Sequence, residues 1–122
     1  MRSLVFLLQL AVLSLGLTPF ARAEDANTAY IVTYIETSPA AKAKALAMLK
    51  EVAKASRKEE GNLRFDALQQ SSRPNHMTVT EIWSDMATYG AHGMTAPTRA
   101  FRDKLLPMSG SLYDERLYRR VN

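Results

Sequence analysis

GNLRFDALQQSSRPNHMTVTEIWSD, residues 61–85, reads as a glycine, a strand, a turn, a second strand and the cap of a helix. Leu63, Phe65 and Ala67 alternate with Arg64, Asp66 and Leu68, the two-residue period of a strand. Ser71-Ser72-Arg73-Pro74-Asn75 is a dense cluster of turn-forming residues. The alternation resumes from His76 to Ser84, so the two runs predict an antiparallel hairpin. Asp85 then offers a side-chain acceptor to the first turn of a helix.

The flanks turn this hairpin into a fold. Upstream, Tyr30 to Thr37 is rich in β-branched and aromatic residues on both parities, which predicts a strand buried on both faces. Ser38 and Pro39 fit the cap and first position of a helix, because proline lacks only an N–H that would be unpaired there. Ala41, Ala45, Met48, Leu49 and Val52 mark one face of that helix, with most lysines off it. The helix is predicted to stop near Gly61, a residue suited to a left-handed cap. Downstream, a helix runs from Asp85 through Tyr89 and His92 to Gly93, and a shorter one from Pro97 buries Phe101 and Leu105 before Pro107. Ser109-Gly110-Ser111 is a loop, and Tyr113 to Val121 reads as a last strand. The order is β-α-β-β-α-(α)-β, an α+β ferredoxin-like arrangement with helices on one face of a four-stranded antiparallel sheet. The other sheet face also carries apolar residues, and a second copy of the chain is the economical cover.

Residues 1–23 read as a signal peptide. Arg2 gives a positive start, Leu4 to Leu17 is nearly unbroken apolar sequence, Pro19 interrupts it, and Ala21-Arg22-Ala23 fits a small-x-small cleavage site. The run is shorter than the ~20 residues that span a bilayer, so cleavage after Ala23 is expected and no stable membrane anchor afterwards. No Arg-Arg pair points to the twin-arginine route, so general secretion to the periplasm or the medium is the expectation. Residues 24–29 are a polar leader, and residues 30–122 make one domain.

The chain holds no cysteine, which removes disulfides, lipid modification and thiolate chemistry. A domain this small buries on the order of two-thirds of its unfolded surface, so dimerisation would help it. The net charge of +4 loses two charges with Arg2 and Arg22, and the remaining excess is dispersed among acids. Arg116, Arg119 and Arg120 form the one local cluster, which fits a solvated face and gives no nucleic-acid stripe. Phosphate loops, HExxH zinc helices and nucleophile elbows are absent. The six methionines suit core filling; Met48, Met77, Met86, Met94 and Met108 show no copper-ligand spacing. No metal site is expected.

Glu81-Ile82-Trp83 closes the second hairpin strand, and His92 follows on the next helix. This segment alone places a proton-transfer group and a large flat apolar surface where they can meet. Trp83 equally suits a core position, His76 follows a turn without a supporting constellation, and Arg64 reads as surface.

Gly61 with the Leu63–Phe65 strand, Glu81-Ile82-Trp83-Ser84-Asp85, His92, Phe101 through Leu105-Leu106-Pro107, and Tyr118 together resemble the antibiotic biosynthesis monooxygenase domain family, a dimeric α/β-barrel group that includes quinol monooxygenases. The resemblance covers nearly the whole mature chain. It implies a homodimer whose sheets pack into a barrel, with a pocket in each subunit between sheet and helices. Relatives often carry a second histidine, and Thr98 stands at its nearest counterpart here. The implied chemistry is oxidation of a small aromatic quinol or anthrone by molecular oxygen with no cofactor. His92 is the implied base, Trp83 the stacking wall and Glu81 the residue that orients the imidazole or stabilises charge. Tyr34, Arg64, Tyr89 and Phe101 are the implied substrate-binding residues.

Two other readings follow from the same residues. Related dimeric barrels degrade haem with an asparagine, a tryptophan and a histidine, but Tyr30 to Thr37 has no asparagine. An exported dimer that binds a small aromatic ligand without transforming it would need only the pocket.

Overall fold

The computed structural model describes residues 25–111 and 113–122. Residues 1–23, read as a signal peptide, lie outside the described residues, as does Glu24. The elements are β1 (Ala29–Glu36), α1 (Lys42–Ser56), β2 (Asn62–Gln69), β3 (His76–Trp83), α2 (Met86–Met94), α3 (Ala96–Leu105) and β4 (Asp114–Tyr118), with single 3₁₀ turns at Pro39–Ala41 and Leu106–Met108. The strands form one antiparallel sheet in the order β2-β3-β1-β4, so the hairpin at residues 61–85 lies on one side of β1 and the last strand on the other. This is the ferredoxin-like architecture predicted from the sequence.

The register sorts every strand residue onto one of two faces. Ile31 pairs with Glu81, which pairs with Phe65, and Thr33 pairs with Val79 and Glu115. Directly opposed residues share a face, so Ala29, Ile31, Thr33, Ile35, Phe65, Met77, Val79, Glu81, Trp83 and Glu115 point the same way. The helices cover that face, and their buried residues Ala45, Leu49, Val52, Ala53, Phe101 and Leu105 complete the core with it.

The opposite face carries no helix. Tyr34, Leu68 and Tyr118 are exposed there, and Tyr30, Val32 and Ile82 are half-buried. Burial of β1 on both faces, expected from its two apolar parities, therefore holds for only one face within the chain.

Three boundaries depart from the sequence reading. Ser38 makes no side-chain cap, residues 39–41 form a 3₁₀ turn, and α1 starts at Lys42. Its last turn then tightens through i to i+3 bonds at Lys58 and Glu59, so α1 ends at Ser56 rather than near Gly61. Gly61 still takes the left-handed conformation, with φ 79°, but in the turn that opens β2. A side chain there would collide with Thr88 at the start of α2, since a Cβ would sit 2.5 Å from it. Finally, β4 stops at Tyr118, short of the expected Val121, because its pairing with β1 reaches Tyr30, one residue from the end of that strand.

Candidate functional site

The helix-covered face buries more charge than a core of this size requires. Glu81 enters it from β3 because it shares parity with Val79 and Trp83, and all three are buried. His92 reaches it from α2, whose start is fixed by the Asp85 carboxylate accepting the Thr88 N–H at 2.7 Å. Only Tyr89 and His92 are buried on α2, and both end on carboxylates. The spacing of three puts these two side chains on the same side of the helix.

The imidazole of His92 lies between two acids. Its Nδ1 is 2.9 Å from Oε2 of Glu59, and its Nε2 is 3.5 Å from Oε1 of Glu81. Thr98 Oγ1 stands 3.4 Å from the same Nδ1 and is itself buried. Trp83 lies against the ring with centroids 4.6 Å apart, Tyr89 lies near-parallel at 6.2 Å, and Phe65 meets it edge-on at 6.0 Å. Burial pulls the His92 pKa down, but the hydrogen bonds and charges of Glu81 and then Glu59 outweigh it, and the net result is a raised pKa.

A third carboxylate, Glu115, stands across β1 from Glu81. Glu115 accepts a hydrogen bond from the Tyr89 hydroxyl and another from Arg102 Nη2 at 3.1 Å. Burial, and then the charge on Glu81, raise its pKa. Two donors in this region have no partner: the indole N–H of Trp83 and the Nε–H of Arg102 are buried and unbonded.

The cluster is closed in this structure. Trp83 is 0%, His92 3% and Glu81 6% exposed, and none of the three described hollows in the surface is lined by these residues. Among the described residues no group of three or more histidine, aspartate and glutamate side chains is placed to hold a metal ion. The two acids here approach opposite edges of one imidazole and do not converge on a common point.

Of the residues singled out from sequence, the structure brings His92, Trp83, Glu81, Tyr89 and Thr98 together. Phe101 is buried nearby in the same helix-facing core. Tyr34 and Arg64 are not part of this group. Tyr34 opposes Thr78 and Arg64 opposes Ile82, so both lie on the uncovered sheet face, and the sheet itself separates them from His92. A single pocket holding them with His92 is thereby corrected. Arg64 is mostly exposed and paired with Asp66. His76 is also on that face, 3.5 Å from Glu36.

Glu59 and Glu115 escaped the sequence reading. Glu59 sits in a turn outside any periodic run, 33 residues from His92, and no short-range pattern marks it. Glu115 faces the helices because it pairs with Thr33 across β1, a register that the residues of β4 alone do not reveal.

Comparison with known proteins agrees with this fold. The family model described as antibiotic biosynthesis monooxygenase matches residues 28–104. A structure from Nitrosomonas europaea, described as a candidate antibiotic biosynthesis monooxygenase, superposes with a TM-score of 0.75 at 19% identity, covering 81% of this chain and 95% of that one. One of the same description from Bacteroides thetaiotaomicron is 28% identical, with a TM-score of 0.73 and coverage of 79% and 91%. A third, also from Bacteroides thetaiotaomicron and described as a conserved protein of unknown function and possible oxidoreductase, has a TM-score of 0.69 at 19% identity and covers 77% of this chain and 100% of that one. No curated protein matches the chain.

Proposed function

Because the chain belongs to the antibiotic biosynthesis monooxygenase family, we propose that it is an exported, cofactor-independent monooxygenase acting on a small quinol- or anthrone-like aromatic. The observation that carries this reading is His92, hydrogen-bonded through Nδ1 to Glu59, with Glu81 3.5 Å from Nε2 and the Trp83 ring against its face. Such chemistry needs a base of matched strength, an apolar wall and a donor for the resulting anion.

In this reading the residues act as follows. The 2.9 Å contact with Glu59 suits a proton on Nδ1, which leaves Nε2 as the basic nitrogen. The contact from Nε2 to Glu81 is longer than a normal hydrogen bond, and a substrate O–H or acidic C–H enters there. Proton transfer to Nε2 gives an imidazolium flanked by two carboxylates, the state that already raises the His92 pKa. The substrate anion passes one electron to oxygen, and the radical pair combines as a substrate peroxide. The imidazolium returns its proton to the peroxide, and loss of water leaves a carbonyl, so a CH₂ group and O₂ become C=O and H₂O, with all four electrons from the substrate. The unpaired Trp83 N–H is a donor for the anion or the reduced oxygen.

Entry to the closed cluster is assigned to α2. That helix contains Gly90 and Gly93, leaves Met86 and Met94 exposed, and is fixed to the sheet by the Tyr89–Glu115 and His92–Glu59/Glu81 contacts. The uncovered face, with Tyr34, Leu68 and Tyr118 exposed, supports a homodimer paired sheet to sheet. Export follows from the signal-peptide reading of residues 1–23.

The closure of the cluster favours a second reading, an exported dimer that binds a small aromatic molecule without transforming it. Oxygen consumption separates the two. The monooxygenase consumes one O₂ per carbonyl formed from an anthrone with no added cofactor, whereas the binding protein retains the aromatic and consumes none.

A further inference from the structure

The outward side of α2 differs from that of the other two α-helices. Its exposed residues are Met86, Ala87, Gly90, Ala91 and Met94, and none of them is polar. Met86 is 49% and Met94 71% exposed. On α1 the exposed positions include Lys44, Lys50, Glu51 and Lys54, and on α3 Arg99, Asp103 and Lys104, the ordinary pattern for helices that face water.

The apolar surface continues onto the sheet edge. Leu117 of β4 pairs with Ile31 and so lies on the helix side of the sheet, yet it is 56% exposed, and it lines one hollow together with Met86 and Ala87. Exposed apolar surface that runs on from one element to the next marks a contact site. Sheet-to-sheet pairing uses the opposite face and leaves this one open. Arg119 lines the same hollow, is exposed, and has no ionic partner among the described residues. Asp85 is the one acid in that lining, and its carboxylate is engaged by the Thr88 N–H at the helix cap.

We propose that the outward side of α2 is a docking surface for a lipid bilayer containing anionic phospholipid. Met86, Met94 and Leu117 enter the boundary between headgroups and acyl chains, Ala87, Gly90 and Ala91 let the helix lie close to it, and Arg119 meets lipid phosphate. The shape favours a lipid surface over a small molecule, since Gly90, Ala91 and Met94 line none of the three described hollows. Unbranched methionine side chains adapt to a fluid partner. No helix among the described residues is long and apolar enough to cross a membrane, so the contact is peripheral. The purpose of the contact rests on the oxidation proposed above: an anthrone-like substrate dissolves in a bilayer, and α2, the assigned entry to His92, then stands at the surface that holds it.

The test is flotation of the exported, processed protein with vesicles of phosphatidylcholine and phosphatidylglycerol in a three-to-one mixture, beside vesicles of phosphatidylcholine alone. Comparing variants in the same processed form removes any contribution of the apolar stretch Leu4 to Leu17. The protein should float with the mixed vesicles and more weakly with the neutral ones. Met94→Gln keeps the side-chain length and the helix, which circular dichroism verifies, and should weaken the partition about tenfold, the effect of withdrawing one methionine side chain from an apolar surface. Arg119→Gln should reduce binding to the mixed vesicles only. No flotation with the mixed vesicles overturns the assignment, as does flotation that Met94→Gln leaves intact; its loss in Lys50→Gln/Lys54→Gln in that case moves the contact to α1. A second copy of the chain as the true occupant appears in sedimentation as an assembly that Met94→Gln splits, without flotation, and overturns it too. Neither oxygen nor an anthrone enters this readout, so its failure and the failure of the proposed oxidation are told apart.

Discussion

Glu59→Gln keeps the size and an acceptor beside His92 but removes a charge 2.9 Å from Nδ1. A hydrogen bond with an ionised partner contributes about 1.5–3 kcal/mol and a neutral one about 0.5–1.5, so the expected loss is about 1–1.5 kcal/mol. His92 is 3% exposed but the Glu59 side chain 19%, so some solvent screening places the loss toward the lower end of that range. The loss must also follow pH with a definite sign. The folded-state pKa of His92 is raised above its unfolded value, so its ionic contribution is fully present below the unfolded value of about 6.5 and fades as pH rises through the folded value. The wild-type advantage over Glu59→Gln is therefore full at pH 6 and shrinks as pH rises through the folded value. Urea denaturation of both proteins at five values between pH 5 and 9 measures it. Equal stability at pH 6, or a gap that widens as pH rises, would refute the ionic grip on His92.

Three further outcomes follow from the packing. Gly61→Ala forces a Cβ into a left-handed backbone 2.5 Å from Thr88 and should lower stability by about 1–3 kcal/mol, read as a drop in urea midpoint. Glu115→Gln preserves acceptors for Tyr89 and Arg102 and removes a carboxylate whose ionisation burial disfavours, so it should change stability by under about 1 kcal/mol; Glu115→Leu strands those donors and should cost about 1–3. Ile82→Arg puts a charge on the uncovered face and should yield a folded monomer where the wild type sediments as a dimer; a wild-type monomer at micromolar concentration would defeat the proposed pairing.

The sequence reading succeeded where local chemistry decides the structure. The alternation in residues 61–84, the Asp85 cap and the apolar faces of α1 and α3 are each set by neighbours within a few residues, and the split β-α-β-β-α-α-β order followed from them. Within the site, Glu81 and Trp83 share parity by simple counting along one strand. Tyr34 was harder, because Tyr30, Val32 and Tyr34 are as apolar as Ile31, Thr33 and Ile35, and alternation cannot choose a face when both parities suit burial. The register against β3 makes that choice. Arg64 was decidable in principle, since Phe65 beside it claims the core face. Glu59 had no such clue. Its role depends on a turn after α1 coming to rest beside a helix 33 residues later, a contact that exists only after the sheet has formed.

The oxidation itself rests on His92, and oxygen uptake on an anthrone without added cofactor, wild type beside His92→Gln, tests it most directly. Removal of a general base lowers such rates about 10²–10⁴-fold, so uptake in the wild type with near-complete loss in His92→Gln is the predicted result. Uptake that persists undiminished in His92→Gln, or none in a wild type that still binds the anthrone, would contradict it.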